Sequence, residues 1–217
     1  MISLENVSKV YRRGIEQVHA LDGVTLDISA GDYVAICGPS GSGKTTLLNI
    51  AGCMDQPTGG VVRVAGEDIQ KAGERRLARV RQSLIGFVFQ QFFLIPTLTV
   101  RENVELPLLF SHRKPDPDRT AELLRIVGLE HRLRHRPGQL SGGEMQRVAV
   151  ARSLINQPKV ILADEPTGNL DSRNSAAVVE LFEAVNRQGI AVVLVTHNPV
   201  LAARCAKVVH LEDGKVV

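Results

Sequence analysis

Three stretches carry residue types whose spacing suits chemistry on phosphate. The first is "GPSGSGKT", from Gly38 to Thr45, which fits G-x4-G-K-[ST] with an apolar run before it and a helical pattern after it. Gly38, Gly41 and Gly43, with Pro39, Ser40 and Ser42 among them, let consecutive backbone N–H groups turn inward around phosphate oxygens. The start of the following helix adds its partial positive charge. Lys44 is placed to meet β- and γ-phosphates and Thr45 to offer its hydroxyl to Mg²⁺, with Thr46 extending the set. The second stretch is "KVILADEPTGNLD", which sets Asp164 and Glu165 just past a buried strand, where open parallel sheets hold their ligands. Asp164 suits Mg²⁺, and Glu165 suits an attacking water whose proton it can accept or orient. "VLVTHNP" ends the next apolar run at His197. A neighbouring parallel strand would bring that imidazole to the same sheet edge, within reach of a γ-phosphate or of Glu165. The third stretch is "QLSGGEMQRVAVAR", in which Ser141, Gly142 and Gly143 open a helix and form a second anion-binding turn. Glu144 stands three residues after Ser141, the spacing of a capping box, so it reads as a helix cap rather than a catalyst.

The elements that must position these groups follow from periodicity and punctuation. "ISLENV", "VTLDI", "YVAIC" and "VVRVAG" read as strands separated by glycine turns. "ERRLARVRQ" reads as a helix with a solvated basic face, and "IGFVF" as a strand. Residues 91–157 turn helical: Asp116 caps a helix with Pro117 at its first position, Gly128 closes it, Ser141 opens the next and Pro158 ends it. "KVILAD" and "IAVVLVT" are continuous apolar, β-branched runs, as expected for strands buried on both faces. The helix between them, "SRNSAAVVELFEAVNRQ", takes Ser172 as its cap and Gly189 past its end. Strand–helix–strand alternation predicts an α/β fold with a parallel sheet, into which the helical stretch is inserted as a lobe.

Composition narrows the partners. A formal net charge of +3 over 217 residues is too small to argue for nucleic acid or an anionic membrane surface. No apolar run approaches the roughly 18 residues of a membrane span. "MISLENVSKVYRR" has no apolar core of a signal peptide. Cys37, Cys53 and Cys205 are too few and too scattered for a disulfide framework or a metal site, which suits a reducing cytosol.

Taken in order, "GPSGSGKT", "VFQQ", "LSGGE", "ILADEPTGNLD" and "VTH" resemble the Walker A, Q-loop, signature, Walker B with D-loop, and H-switch motifs of ABC-transporter nucleotide-binding subunits. The resemblance covers nearly the whole chain. It implies a P-loop ATPase cassette of 1–217: a RecA-like, mainly parallel sheet core with an N-terminal antiparallel β-subdomain (1–90 and 158–217), and an inserted helical signature lobe (91–157). It implies ATP hydrolysis to ADP and phosphate with Mg²⁺ held by Thr45, Gln90 and Asp164, and Glu165, His197 and Gln90 as the catalytic set. It gives Tyr11 the aromatic position that stacks on adenine, prefers Gln90 to Gln91 for the Q-loop, and places Asp171 in the D-loop. It further implies a head-to-tail homodimer with ATP sandwiched between one chain's Lys44 and the other's Ser141, Gly142 and Gly143.

The stretches "GFVFQQFFLIPTLTVRENVELPL" and "ADEPTGNLDSRNS" resemble the LolD/MacB/FtsE branch, whose members pair with an integral membrane permease, separate or fused, acting on cell-envelope substrates. That places the chain at the cytoplasmic face of the membrane. "FFLIPTLTVRENVELP" lies where the family docks its permease, and its apolar residues serve either that surface or the lobe's own core. The alternative is a soluble ATPase of the same family acting on nucleic acid or ribosomes. Such proteins carry two cassettes or long coiled-coil insertions, neither of which occurs here.

Overall fold

The computed structural model describes residues 1–14 and 16–217. The chain opens with two long antiparallel strands, β1 (Ile2–Arg13) and β2 (Glu16–Ile28), paired from Ile2↔Ile28 to Arg13↔Glu16. They run well past "ISLENV" and "VTLDI". Register shifts between Leu4 and Val10 break the period-2 alternation by which a strand is read from sequence. β3 (Tyr33–Cys37), α1 (Lys44–Ala51), β4 (Gly59–Val64) and β5 (Glu67–Asp68) follow. Next come α2 (Glu74–Leu84) and β6 (Ile85–Phe89).

The helical stretch contains α3 (Val100–Phe110), α4 (Pro117–Ile126) and α5 (Gly142–Leu154), with two short 3₁₀ turns before α5. Asp116 caps α4 as its Asp-Pro start signals, accepting the Arg119 N–H. α3 starts on a second capping box, Thr99 with Glu102. α5 stops at Leu154, before Pro158 is reached. β7 (Val160–Asp164), α6 (Ser172–Asn186), β8 (Ala191–Val195), α7 (Pro199–Ala202), β9 (Lys207–Glu212) and β10 (Lys215–Val216) complete the chain. The cap of α6 is Asp171 rather than Ser172. Its carboxylate accepts the Asn174 N–H at 2.8 Å, while Ser172 is already the first helical residue.

Two sheets result. One is antiparallel, in the order β2-β1-β4-β5; the other runs β10-β9-β3-β8-β7-β6, parallel from β9 to β6. Alternate residues of the parallel strands serve different cores, so those strands are apolar throughout. Val160 and Leu162 of β7 join the core shared with α1 and the antiparallel sheet, whereas Ile161 and Ala163 join the core built with α3 to α6. α1 is thereby enclosed between the two sheets, with Leu47, Leu48 and Ile50 almost fully buried. No helix among the described residues is long and apolar enough to cross a membrane.

Candidate active site

β3 ends at Cys37 and α1 begins at Lys44, so Gly38 to Gly43 form the loop between them. Close approach of backbone from both sheets fixes that loop. A Cβ on Gly38 would lie 2.0 Å from the Leu211 carbonyl oxygen of β9, and one on Gly43 would lie 2.2 Å from that of Ala20 in β2. Gly43 also has φ 100°, a left-handed conformation in which a side chain adds strain. The Lys44 ammonium, buried under the loop, donates to the Gly38 oxygen at 2.9 Å and the Pro39 oxygen at 2.7 Å.

The loop forms one wall of a cleft of about 730 Å³, which also collects residues from five other places in the chain. Tyr11 comes from β1, Gln90 follows β6, Asp164 and Glu165 end β7, and His197 follows β8. Gly38, Pro39, Ser40, Gly41, Gly43, Lys44, Thr45 and Thr46 all line it. Ser42 does not; its side chain is buried beneath the loop. Val18, His19 and Ala20 of β2 complete the wall. Sequence reasoning missed these three, because this end of β2 is exposed from Glu16 to His19 and lacks the buried–exposed alternation by which a strand is read.

Parallel pairing of β7 with β8 aligns Asp164 with Val195, which delivers Glu165 and His197 to the same edge. His197 Nδ1 is 2.7 Å from Glu165 Oε1. Glu165 takes φ 44°, uncommon for a side-chain-bearing residue, and its N–H donates to the Val195 oxygen at 2.9 Å. That bond turns the chain sharply at the strand end and holds the carboxylate at the cleft. Asp164 accepts the Thr45 hydroxyl at 3.0 Å. Burial pushes the Asp164 carboxyl above its ordinary range, the Thr45 bond pulls it back, and neighbouring Glu165 raises it further.

Gln90, not Gln91, faces the cleft. Asn169 holds it twice: Gln90 Nε2 donates to Asn169 Oδ1 at 3.2 Å, and Asn169 Nδ2 donates to the main-chain oxygen of Gln90 at 3.1 Å. The loop after β7 therefore sets the orientation of the Gln90 side chain. The partnership spans 79 positions and leaves no mark in local spacing.

Ser141, Gly142, Gly143, Glu144 and Asp171 do not line this cleft. The capping box at α5 forms as the spacing implies: Glu144 accepts the Ser141 N–H at 2.8 Å, and Ser141 Oγ accepts the Glu144 N–H at 3.3 Å. Glu144 also receives Arg132 Nε at 3.1 Å. The Ser141 N–H, against a smaller opposing effect of burial and with help from Arg132, holds the Glu144 carboxyl below its usual range. With both oxygens committed to its own chain, Glu144 is a structural acid. Gly143 packs against Asn174, whose Oδ1 would lie 2.1 Å from a Cβ there. Asp171 in turn holds the Asn174 side chain at 2.7 Å. Asp171 and the turn at the start of α5 thus share one residue of α6.

A family model described as ABC transporter matches residues 21–168. The ABC transporter ATP-binding protein YknY of Bacillus subtilis is 49% identical over 219 residues, spanning 100% of this chain and 95% of its own length. The macrolide export ATP-binding/permease protein MacB of Shigella flexneri is 46% identical over 219 residues, spanning 100% of this chain and 34% of its own. Among solved structures, the dimeric form of the ABC transporter cassette MJ0796 superposes with a TM-score of 0.92 at 46% identity, covering 100% of this chain and 96% of that one. A post-hydrolysis dimer of MJ0796 bound to ADP and Pi gives the same TM-score at 45% identity. MJ0796 is a protein of Methanocaldococcus jannaschii. Fold, ordered motifs and relatives agree: the chain belongs to the ABC transporter family, as an ATP-binding cassette that hydrolyses ATP.

Proposed function

We propose that two copies of this chain close head to tail on ATP, and that closure and hydrolysis drive a membrane permease acting on a cell-envelope substrate. One observation carries the dimer. Ser141 caps an exposed helix start suited to phosphate, yet the signature turn lies outside the phosphate-loop cleft of its own chain. A two-fold dimer supplies each signature with the nucleotide held by the other chain. The MJ0796 structures, both dimeric and one with ADP and Pi bound, support that arrangement.

Within each site Lys44 holds the β- and γ-phosphates, Glu165 accepts or orients the proton of the attacking water, and His197 fixes the Glu165 carboxylate. Thr45, Asp164 and Gln90 suit Mg²⁺. All three offer oxygen, and Asp164 is a partly buried carboxyl whose charge a cation would stabilise. Among the described residues no group of three acids, histidines or cysteines is arranged to hold a metal ion by itself, so phosphate and water would complete the ligand set. When bound, it neutralises charge developing on the phosphates. Residues 91–157 act as the signature lobe, with Gln90 at its junction with the core.

Removing the Lys44 charge isolates its contribution. Lys44→Ala loses a charge-assisted contact of about 1.5–3 kcal/mol, seen as weaker ATP binding by calorimetry; unchanged affinity would remove Lys44 from the phosphate site. Mixing the Lys44→Ala and Ser141→Arg chains then tests the shared site. Each variant alone is inactive, but random pairing makes half the dimers mixed, with one intact site each. Turnover returns to at most about a quarter of normal. No recovery would count against sites shared between chains.

The permease surface is an apolar groove of about 500 Å³ between α2, β6 and α3, lined by Met54, Phe87, Phe89, Phe93, Leu106 and Phe110. Phe93 is 60% exposed and Phe110 64%, more than a lobe core requires. The similarity to MacB, a macrolide export ATP-binding/permease protein, favours such a partner at the membrane's cytoplasmic face. Phe110→Asp leaves ATP turnover of the isolated chain within about twofold, since the residue is exposed and outside the cleft. It abolishes co-purification of a membrane protein from detergent extracts. Retained co-purification would place the permease elsewhere.

A further inference from the structure

The rim of the cleft holds a polar cluster that the phosphate chemistry leaves unused. The Tyr11 hydroxyl donates to Asp55 Oδ2 at 2.7 Å. Asp55 Oδ1 accepts Lys9 Nζ at 2.6 Å and the Gln56 N–H at 2.7 Å, and Lys9 Nζ also donates to the Gln56 oxygen at 2.7 Å. The same ammonium stands over the Tyr11 ring, 4.8 Å from its centroid. The Lys9 side chain is only 11% exposed and that of Asp55 29%. A lysine is rarely withdrawn from water to this extent unless its charge is paired, as it is here. Asp55 follows the turn that closes α1, whose other end carries Lys44. The cluster therefore ties the ring on β1 to the helix that holds the phosphate loop.

A plain strap between β1 and α1 would need only Lys9 and Asp55. Two observations go further: Asp55 spends its second oxygen on the Tyr11 hydroxyl, and Lys9 covers a ring face. Tyr11 is the only Phe, Tyr or Trp lining the cleft among the described residues. We propose that Asp55 and Lys9 are positioning residues for Tyr11: Asp55 fixes the plane of the ring through its hydroxyl, and Lys9 occupies one face, leaving the other for the flat base of the nucleotide. The proposal rests on Tyr11 being the platform for adenine. A ring held in place before binding loses less freedom on binding. Burial and the Asp55 carboxylate both push the Tyr11 phenol above its ordinary range, as this contact requires.

Steady-state ATPase kinetics test it. Asp55→Ala, Lys9→Met and Tyr11→Phe each raise KM for ATP about fivefold with kcat within about twofold, because only ring order is lost. The Tyr11→Phe/Asp55→Ala double variant is no worse than Asp55→Ala alone, because the contact that Tyr11→Phe removes is already gone. A spectroscopic readout is independent of turnover. The chain has no Trp and two Tyr, so in a Tyr33→Phe background phenolate absorbance follows Tyr11 alone. Asp55→Asn shifts that ionisation to lower pH. Tyr11→Ala is the reference: if it leaves KM unchanged, the adenine platform fails and the positioning role with it. If Tyr11→Ala raises KM while Asp55→Ala and Tyr11→Phe do not, only the positioning role falls. A lower melting temperature with normal KM, or an unmoved phenol ionisation, would reduce the cluster to a strap.

Discussion

Glu165→Gln lowers ATP turnover by about 10²–10⁴-fold, the usual contribution of a positioned general base. The amide keeps the size of the carboxylate and can still accept a hydrogen bond from His197 at the 2.7 Å contact, but it cannot take a proton from water. The left-handed backbone at residue 165 and its N–H bond to Val195 do not depend on the side-chain charge, so folding is retained. Nucleotide binding is retained as well, and one negative charge is removed from beside the phosphates. ATP therefore accumulates between two chains instead of being consumed. Size-exclusion chromatography shows a monomer without nucleotide and a stable dimer with ATP. A variant that hydrolyses at the normal rate would dismiss Glu165 as the base, and one that stays monomeric in ATP would undo the sandwich.

Ser141→Arg is the second large effect, and on the proposed dimer it acts on a site that its own chain never uses. The substitution removes the N-cap of α5, at a cost of about 0.5–2 kcal/mol. It also sets a bulky side chain where a second chain must bring its ATP. The phosphate-loop cleft contains no signature residue, so calorimetry on the isolated chain finds ordinary ATP affinity. Dimer-dependent hydrolysis is lost. Ser141→Ala supplies the control, since it removes the same cap without the bulk. It shows a comparable loss in melting temperature and a smaller loss in turnover. Equal activity in Ser141→Arg and the parent chain would contradict a shared site.

Much of the cleft was legible because its residues sit at strand ends with strong local signatures. The runs before Gly38, Asp164 and Thr196 are apolar at every position, as strands buried on both faces must be. A polar residue ending such a run has to lie at the sheet edge. The Ser141–Glu144 and Asp116–Pro117 caps were readable for a similar reason, since their partners stand within three residues. What escaped was decided over longer range or by geometry alone. Asp171 and Ser172 are both good caps, and only the contact with Asn174 selects the aspartate. Val18, His19 and Ala20 lie at the exposed end of β2, where no buried–exposed alternation marks a strand. Arg132 reaches Glu144 across 12 positions, and Lys9 reaches Asp55 across 46. Neither pairing leaves a periodic trace.

The packing of Asn174 against Gly143 separates two residues that look alike in the sequence. A methyl group on Gly142 would meet nothing nearer than 3.7 Å, whereas the place of a methyl on Gly143 is already filled. A methyl on Gly142 would only touch Leu170, Phe92 and Asn169 at ordinary contact distance. Its own chain does not exclude a side chain there, and on the proposed dimer its bareness keeps room for the other copy's nucleotide. Gly143 is bare because α6 passes behind it, a demand of the lone chain that holds whether or not a second copy ever arrives. Substitutions at the first glycine therefore report on assembly, and those at the second on the integrity of the cassette itself.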